Sequence, residues 1–349
     1  GKRYLDVLAG VAVCGLGHCH PRFTAALQAQ VGKLVHTSNI YNITLQEQLA
    51  DRLAALSGMD SVFFCNSGCE ANEAAIKLAR LYGHNKGIES PAIVVMDKAF
   101  HGRTIATLSA TGSRKVQAGF EPLVSGFVRV PFDDLDAVRR VAENNRSVVA
   151  VLVEVIQGEG GINICLDDYL KGLRAICDAN GWLLMLDEVQ SGIGRTGKWF
   201  AFQHSGVMPD VMTLAKGLGS GMPIGACLAA GPAAKLFKPG NHGSTFGGNP
   251  LACCAALTTL AIIEDEKLMA NAVAIGDFIR AQFAERLADV SGVREIRGDL
   301  LLDRTLFAND HPDVTVYVVQ AESDFLRQQQ QAQLTDVQKA HRKASRFVR

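Results

Sequence analysis

The chain has 349 residues, 48% hydrophobic and 20% charged, with 35 Lys plus Arg balancing 35 Asp plus Glu. That balance offers no net field to recruit nucleic acid or an anionic membrane surface, and no apolar run is long enough to span a bilayer, so neither partner is expected. Nine cysteines are scattered through apolar segments without zinc-type pairing, which points to reduced thiols and no metal. The opening GKRYLDVLAG lacks a secretory pattern, and a cytoplasmic location is the expectation.

Phe23, Ala26, Leu27 and Val31 fall at helical spacing and predict a helix over residues 21–35, with Pro21 at an allowed early position. His18 and His20, just before it, are turn residues or ligands. SNIYNITLQEQLADRLAALSG runs from loop into a second helix ending at Gly58. Residues 61–65 predict a strand, which Asn66-Ser67-Gly68-Cys69-Glu70 turns into a helix over 71–83. Ser67 and Glu70 spell the S-x-x-E capping box. A helix start presents free N–H groups and a positive dipole end, so the same turn serves as a plain cap or as a seat for phosphate. Strands are predicted at 93–96, 127–130 and 148–155, with a surface helix at 133–145. Arg103, in FHGRT, has the planar fork that grips a carboxylate or makes a surface ion pair.

Residues 181–221 organise the rest. Trp182-Leu183-Leu184-Met185-Leu186 is too short for a free-standing helix and reads as a strand buried on both faces, ending on Asp187 and Glu188. The carboxyl ends of such strands are where open α/β sheets place ligands. A second apolar patch, residues 211–215, delivers Lys216 into GLGSG, where partial desolvation lowers an amine's pKa and sharpens it as a nucleophile. An acid and an amine offered from neighbouring strand ends are what a pyridoxal phosphate enzyme needs, the amine for covalent attachment and the acid to keep the pyridinium protonated. Residues 192–197 spell G-x-G-x-x-G, but KWFAF follows instead of a helical pattern, so a flexible glycine-rich loop is expected there rather than a dinucleotide site. A further strand at 224–229, a helix at 251–264 begun by Pro250, and an amphipathic helix at 267–290 complete the pattern. Residues 314–319 fit a strand, and the remaining tail, with Gln328 to Gln331, reads as polar helix or disorder.

Together LDEVQSGIGRTG, TLAKGLG, NSGCEANE, FHGRT, EVIQGEGG and HGSTFGGNP resemble the fold type I, class III aminotransferases, especially the acetylornithine and ornithine aminotransferases, over about residues 1–298. The resemblance implies an α/β fold with a mixed, mainly parallel sheet flanked by helices and a small, here atypical, C-terminal domain. The implied division is an N-terminal segment 1–40, a large cofactor-binding domain 41–265 and a small domain 266–349. GKRYLDVLAG then corresponds to the second strand of an N-terminal hairpin, with further family residues ahead of it.

The resemblance also implies pyridoxal 5'-phosphate (PLP) as cofactor. Lys216 would carry it, Asp187 would pair with the pyridine nitrogen, Val189 would pack on the ring, Phe100 would cover it, and Gln190 would lie near the phenolic oxygen. Ser67, Gly68 and Cys69 would hold the phosphate, Cys69 standing where the family usually has alanine or threonine. Arg103 would hold a substrate carboxylate, Glu159 matches an acid that gates an active-site arginine, and Glu154 is assigned a structural role. Thr245 would reach the phosphate of the other subunit in a homodimer with shared sites. The implied reaction is amino transfer between N2-acetyl-L-ornithine and 2-oxoglutarate in arginine biosynthesis. Succinylornithine, ornithine or 4-aminobutyrate as donor, or an inactive truncated relative, are the alternatives. After Gly298 the familiar pattern stops, and the R-F-x-P-P arginine that clamps the α-carboxylate in this family is not found.

Overall fold

The computed structural model describes residues 6, 8–165, 167–288, 293–299, 302–307 and 315–317. Nine strands lie in its main body: β1 (Ser61–Cys65), β2 (Ala92–Met96), β3 (Phe127–Val130), β4 (Val148–Glu154), β5 (Ile156–Gln157), β6 (Asn163–Ile164), β7 (Leu183–Asp187), β8 (Val211–Leu214) and β9 (Gly225–Ala229). Seven form one sheet in the order β1-β9-β8-β7-β4-β2-β3, while β5 and β6 make a small hairpin. From β8 to β3 all neighbours are parallel; β9 alone runs antiparallel to both its neighbours.

Burial on both faces explains why β4 (VVAVLVE) and β7 (LLMLD) read as unbroken apolar runs. The pleat sorts their residues. Val151, Val153, Leu184 and Leu186 join one core with Leu49, Leu53, Leu170, Leu173 and Cys253. Ala150, Leu152, Leu183 and Met185 face the other, packing on Ala74, Ala75, Leu78 and Ala79 of the helix Gly68–Asn85. Leu184 and Leu186 are fully buried, so cutting either to alanine costs about 2–5 kcal/mol.

Register brings the functional ends together. Glu154 pairs with Asp187 across β4 and β7, and Asp187 pairs with Thr213 across β7 and β8. Three residues beyond Thr213, Lys216 starts a 3-10 turn, after which the chain returns as β9. Asp187 and Lys216 thus share the carboxyl edge of the sheet, where parallel strands release their ends.

Several boundaries differ from the sequence pattern. The helix expected from residue 71 starts at Gly68, because Ser67 caps it: its Oγ accepts the Glu70 N–H at 3.2 Å. Glu70 reaches back one residue further than a regular capping box, its Oε2 accepting the N–H and the Nδ2 of Asn66, each at 2.8 Å. The helix expected over 21–35 ends at Val31. Residues 1–5 and 7 of the expected N-terminal strand lie outside the described residues, and the next stretch is no strand: Ala9–Ala12 forms a tight turn with φ of 49, 67, 66 and 61°. Nor is the glycine-rich turn a loose loop. Residues 191–194 and 196 are buried, and the Gly192 and Gly194 N–H groups donate to the carbonyls of Glu188 and Trp199. The helix expected over 267–290 spans Leu268–Arg286, with Ile275 and Phe278 exposed, so its apolar residues do not keep to one face. A second, antiparallel sheet of β10 (Val293–Asp299), β11 (Leu302–Phe307) and β12 (Thr315–Tyr317) follows. The strand expected at 314–319 is β12; residues 318–349, including Gln328 to Gln331, lie outside the described residues.

Candidate active site

A cavity of about 370 Å³ opens at the carboxyl ends of β4, β7 and β8. Nine of the eleven residues named from the sequence line it: Ser67, Gly68, Cys69, Phe100, Glu159, Asp187, Val189, Gln190 and Lys216. Arg103 and Thr245 do not. Arg103 is exposed, with its guanidinium over the Phe100 ring at 5.5 Å and its N–H donating to Cys69 Sγ at 3.2 Å. Thr245 sits exposed on the loop ahead of the helix Pro250–Asp265, next to Phe246, which is 60% exposed.

Asp187 is held from three sides. Its Oδ2 accepts Nδ1 of His101 and Nδ2 of Asn72, each at 2.8 Å, and its Oδ1 accepts the Val189 N–H at 3.0 Å. Asn72 is itself fixed, because Thr213 Oγ1 donates to its Oδ1 at 2.8 Å and its Nδ2 also donates to the His101 carbonyl. Burial alone would raise the Asp187 carboxyl, but His101, the Val189 N–H and Asn72 outweigh it and hold Asp187 below the ordinary carboxylate value. Its strand neighbour behaves in the opposite way. Glu154 is pushed up to about 7, mainly by burial and further by Asp187, against the pull of His101, Lys216 and the Phe100 N–H, which donates to its Oε2 at 2.9 Å. Two carboxylates side by side with pKa values driven apart leave one permanently charged and one able to carry a proton near neutrality.

Lys216 is the nucleophile candidate. Burial lowers its pKa, opposed by Asp187, Glu154 and Glu159 and assisted by the charge of Arg195. Its φ of 41° is in the left-handed region, a conformation a non-glycine residue holds only where its surroundings enforce it.

The cavity fits a flat, phosphorylated cofactor. A Cβ added at Gly68 would come within 2.7 Å of Val189, so only glycine lets the start of the helix Gly68–Asn85 lie this close to the site. The first N–H groups of that helix have no intrahelical acceptor, and its dipole favours an anion. At Gly158 a Cβ would sit 1.5 Å from Oε1 of Gln190, so the bare backbone of position 158 leaves the Gln190 carboxamide room to lie where it does. Ser67, Gly68 and Cys69 would hold a phosphate, Lys216 an aldehyde and Asp187 a ring nitrogen.

Asn72, His101 and Thr213 were not singled out from the sequence, although all three are buried against the acid they position. The available signal was a polar residue inside an apolar run, Thr213 in VMTLA and Asn72 in the helix pattern, together with a histidine directly after the aromatic Phe100.

A mixed sheet with β9 inserted antiparallel, a desolvated lysine at its carboxyl edge and a thrice-bonded aspartate beside it define an α/β enzyme of the fold type I, PLP-binding kind. The aminotransferase class-III family model matches residues 1–322, past Gly298 where the recognisable motifs end, and the chain belongs to that family of PLP-dependent transaminases. It is 70% identical over 298 residues to the acetylornithine aminotransferase of Nitrosomonas europaea, covering 85% of this chain and 76% of that one. With the acetylornithine aminotransferase of Methanocaldococcus jannaschii it shares 47% identity over 299 residues, covering 85% and 75%. Among solved structures it resembles the ornithine aminotransferase of Toxoplasma gondii, described with partial occupancy of PLP at its active site, at TM-score 0.85 and 37% identity over 89% of this chain and 74% of that one. The acetylornithine aminotransferase of Elizabethkingia anophelis gives TM-score 0.80 and 37% identity, over 90% and 77%.

Proposed function

We propose that this chain transfers the δ-amino group of N2-acetyl-L-ornithine to 2-oxoglutarate, giving N-acetylglutamate 5-semialdehyde and glutamate, a step of arginine biosynthesis. The observation that carries the reading is the convergence of Lys216, a half-buried amine with lowered pKa, and Asp187, an acid held ionised, on one cavity of cofactor size. The 70% identity to a relative named for this reaction supports the donor.

When bound, PLP supplies an aldehyde for covalent attachment and a ring that accepts electrons. Lys216 would anchor the group and, as a free amine, would serve as the general base and acid that moves a proton off the amine-bearing substrate carbon in a 1,3 shift, for which its lowered pKa suits it. Asp187 would keep the ring nitrogen protonated. Phe100 and Val189 would enclose the ring, Gln190 would lie near its phenolic oxygen, and Ser67, Gly68 and Cys69 would bind its phosphate. Arg103, at the mouth, would hold a substrate carboxylate, and Glu159 would be the acid that gates an active-site arginine. The division into segments 1–40, 41–265 and 266–349 belongs to the same reading, supported by the separate sheet β10-β11-β12.

The working unit is a cytoplasmic homodimer in which Thr245 reaches the partner's phosphate. Large exposed apolar side chains on the loops near this residue support an interface there: Ile40 is 81% and Tyr41 63% exposed, beside Phe246. Among the described residues no helix is long and apolar enough to cross a membrane.

The test is a visible absorption spectrum of purified protein before and after N2-acetyl-L-ornithine, with glutamate release measured from 2-oxoglutarate. A cofactor band that bleaches with the donor is expected. A protein that cannot be loaded with PLP sinks the reading. Equal or faster turnover of ornithine, succinylornithine or 4-aminobutyrate would reassign the donor.

A further inference from the structure

Transamination leaves the glycine-rich turn at residues 192–197 without a task. Behind it lies a second, smaller cavity of about 50 Å³, where Arg195 meets a wall of Ile193, Ile263, Leu268, Met269 and Ala272. Among the described residues nothing hydrogen-bonds or ion-pairs with the Arg195 guanidinium. Burial lowers its pKa to about 10, and among the described residues no carboxylate is close enough to offset that. Arg195 is itself half-buried, and a guanidinium that faces an apolar wall in a narrow cavity without a counter-charge is suited to take an anion there.

We propose that this cavity binds a small monovalent anion of about chloride size on Arg195, and that the bound anion shields Lys216 from the Arg195 charge.

Size and chemistry both narrow the ligand. A cavity of 50 Å³, against 370 Å³ for the main one, excludes amino and oxo acid substrates. A wall of aliphatic side chains and glycines offers little beyond the guanidinium, so a multiply charged phosphate would lie there under-bonded, whereas a weakly hydrated monovalent ion loses least. The link to catalysis runs through Gly217, which lines this cavity and directly follows Lys216. Among the charges that act on the Lys216 amine, Asp187, Glu154 and Glu159 favour its proton and Arg195 opposes it. An anion on Arg195 offsets that opposing charge. This site goes beyond the amino-transfer reading and does not depend on it.

Chloride is the probe. The purified chain should broaden the chlorine NMR line of dissolved chloride; bromide or nitrate should abolish the broadening, and gluconate, too large for the cavity, should leave it. Arg195→Met should lose the broadening by removing the charge, and Ala272→Leu should lose it by filling the space while the guanidinium stays. In the PLP-loaded protein, exchanging gluconate for chloride at constant ionic strength should move the pH midpoint of the cofactor band upward, and Ala272→Leu should show no movement. Wild-type protein without displaceable broadening overturns the proposal, as does a folded Ala272→Leu variant that broadens like wild type. Should Arg195→Met not fold, Ala272→Leu decides alone. Failure to load PLP would end the transaminase reading and leave the chloride result standing.

Discussion

The floor and the mouth of the main cavity are built on different terms. On the floor Asp187, Asn72, His101, Thr213 and Glu154 are buried and bonded to one another or to main-chain N–H groups. Toward solvent, Arg103, Glu159 and Thr245 are exposed, and among the described residues their side chains make no hydrogen bond or ion pair. A single chain therefore completes the floor, whose geometry is set before any ligand arrives. The outer residues are left open for groups that only a substrate or a second subunit can supply. Preorganised polar groups in a dry site act on every turnover, whereas exposed ones act on whichever ligand meets them.

The comparison breaks most sharply at Lys216. Lys216→Ala should cut turnover by several orders of magnitude with every donor while PLP still binds without a covalent link, as seen by single-turnover kinetics and dialysis. Turnover at the wild-type rate would remove this residue from the chemistry. Asp187→Asn should lower kcat by about 10²- to 10³-fold with little change in either KM, because it removes charge from the floor and leaves the mouth intact.

Glu154 tests the floor through stability. Its folded pKa, about 7, is raised above the ordinary 4.5. The proton it keeps therefore stabilises the fold below about pH 4.5, and that contribution is lost as pH rises through 7. The shift corresponds to about 3 kcal/mol. Denaturant titrations from pH 4.5 to 8 should show this decline in wild type and a flatter profile in Glu154→Gln; parallel profiles would mean that the acid does not hold its proton. At the mouth the effect should be smaller and selective. Arg103→Gln should raise the KM for the 2-oxo acid about tenfold while kcat stays near wild type, since one charge-assisted contact is lost and the floor is untouched. A fall in kcat with both substrates would make Arg103 part of the floor.

Legibility in the sequence follows the same line. Asp187 and Lys216 stood out because apolar runs of strand length end on them, and the strand positions followed from burial on both faces. The antiparallel course of β9 did not, since GACLA carries no mark of direction. Nor did the clasp around Asp187: Asn72, His101 and Thr213 lie far apart in the chain and meet only once the helix Gly68–Asn85 docks on the sheet. Glu154 read as structural, and its raised pKa depends on a register partner that no local pattern reveals. For the capping box the pattern located the helix start, but which N–H Glu70 reaches was set by the turn at Asn66.

The close fit of Gly158 to the Gln190 carboxamide reaches beyond this one chain. A methyl group at 158 and the carboxamide at 190 as it now lies compete for the same volume, so a side chain at 158 would swing the Gln190 carboxamide out of its present place. Across descendants of this sequence a larger residue at 158 should therefore go with a re-aimed or shorter residue at 190.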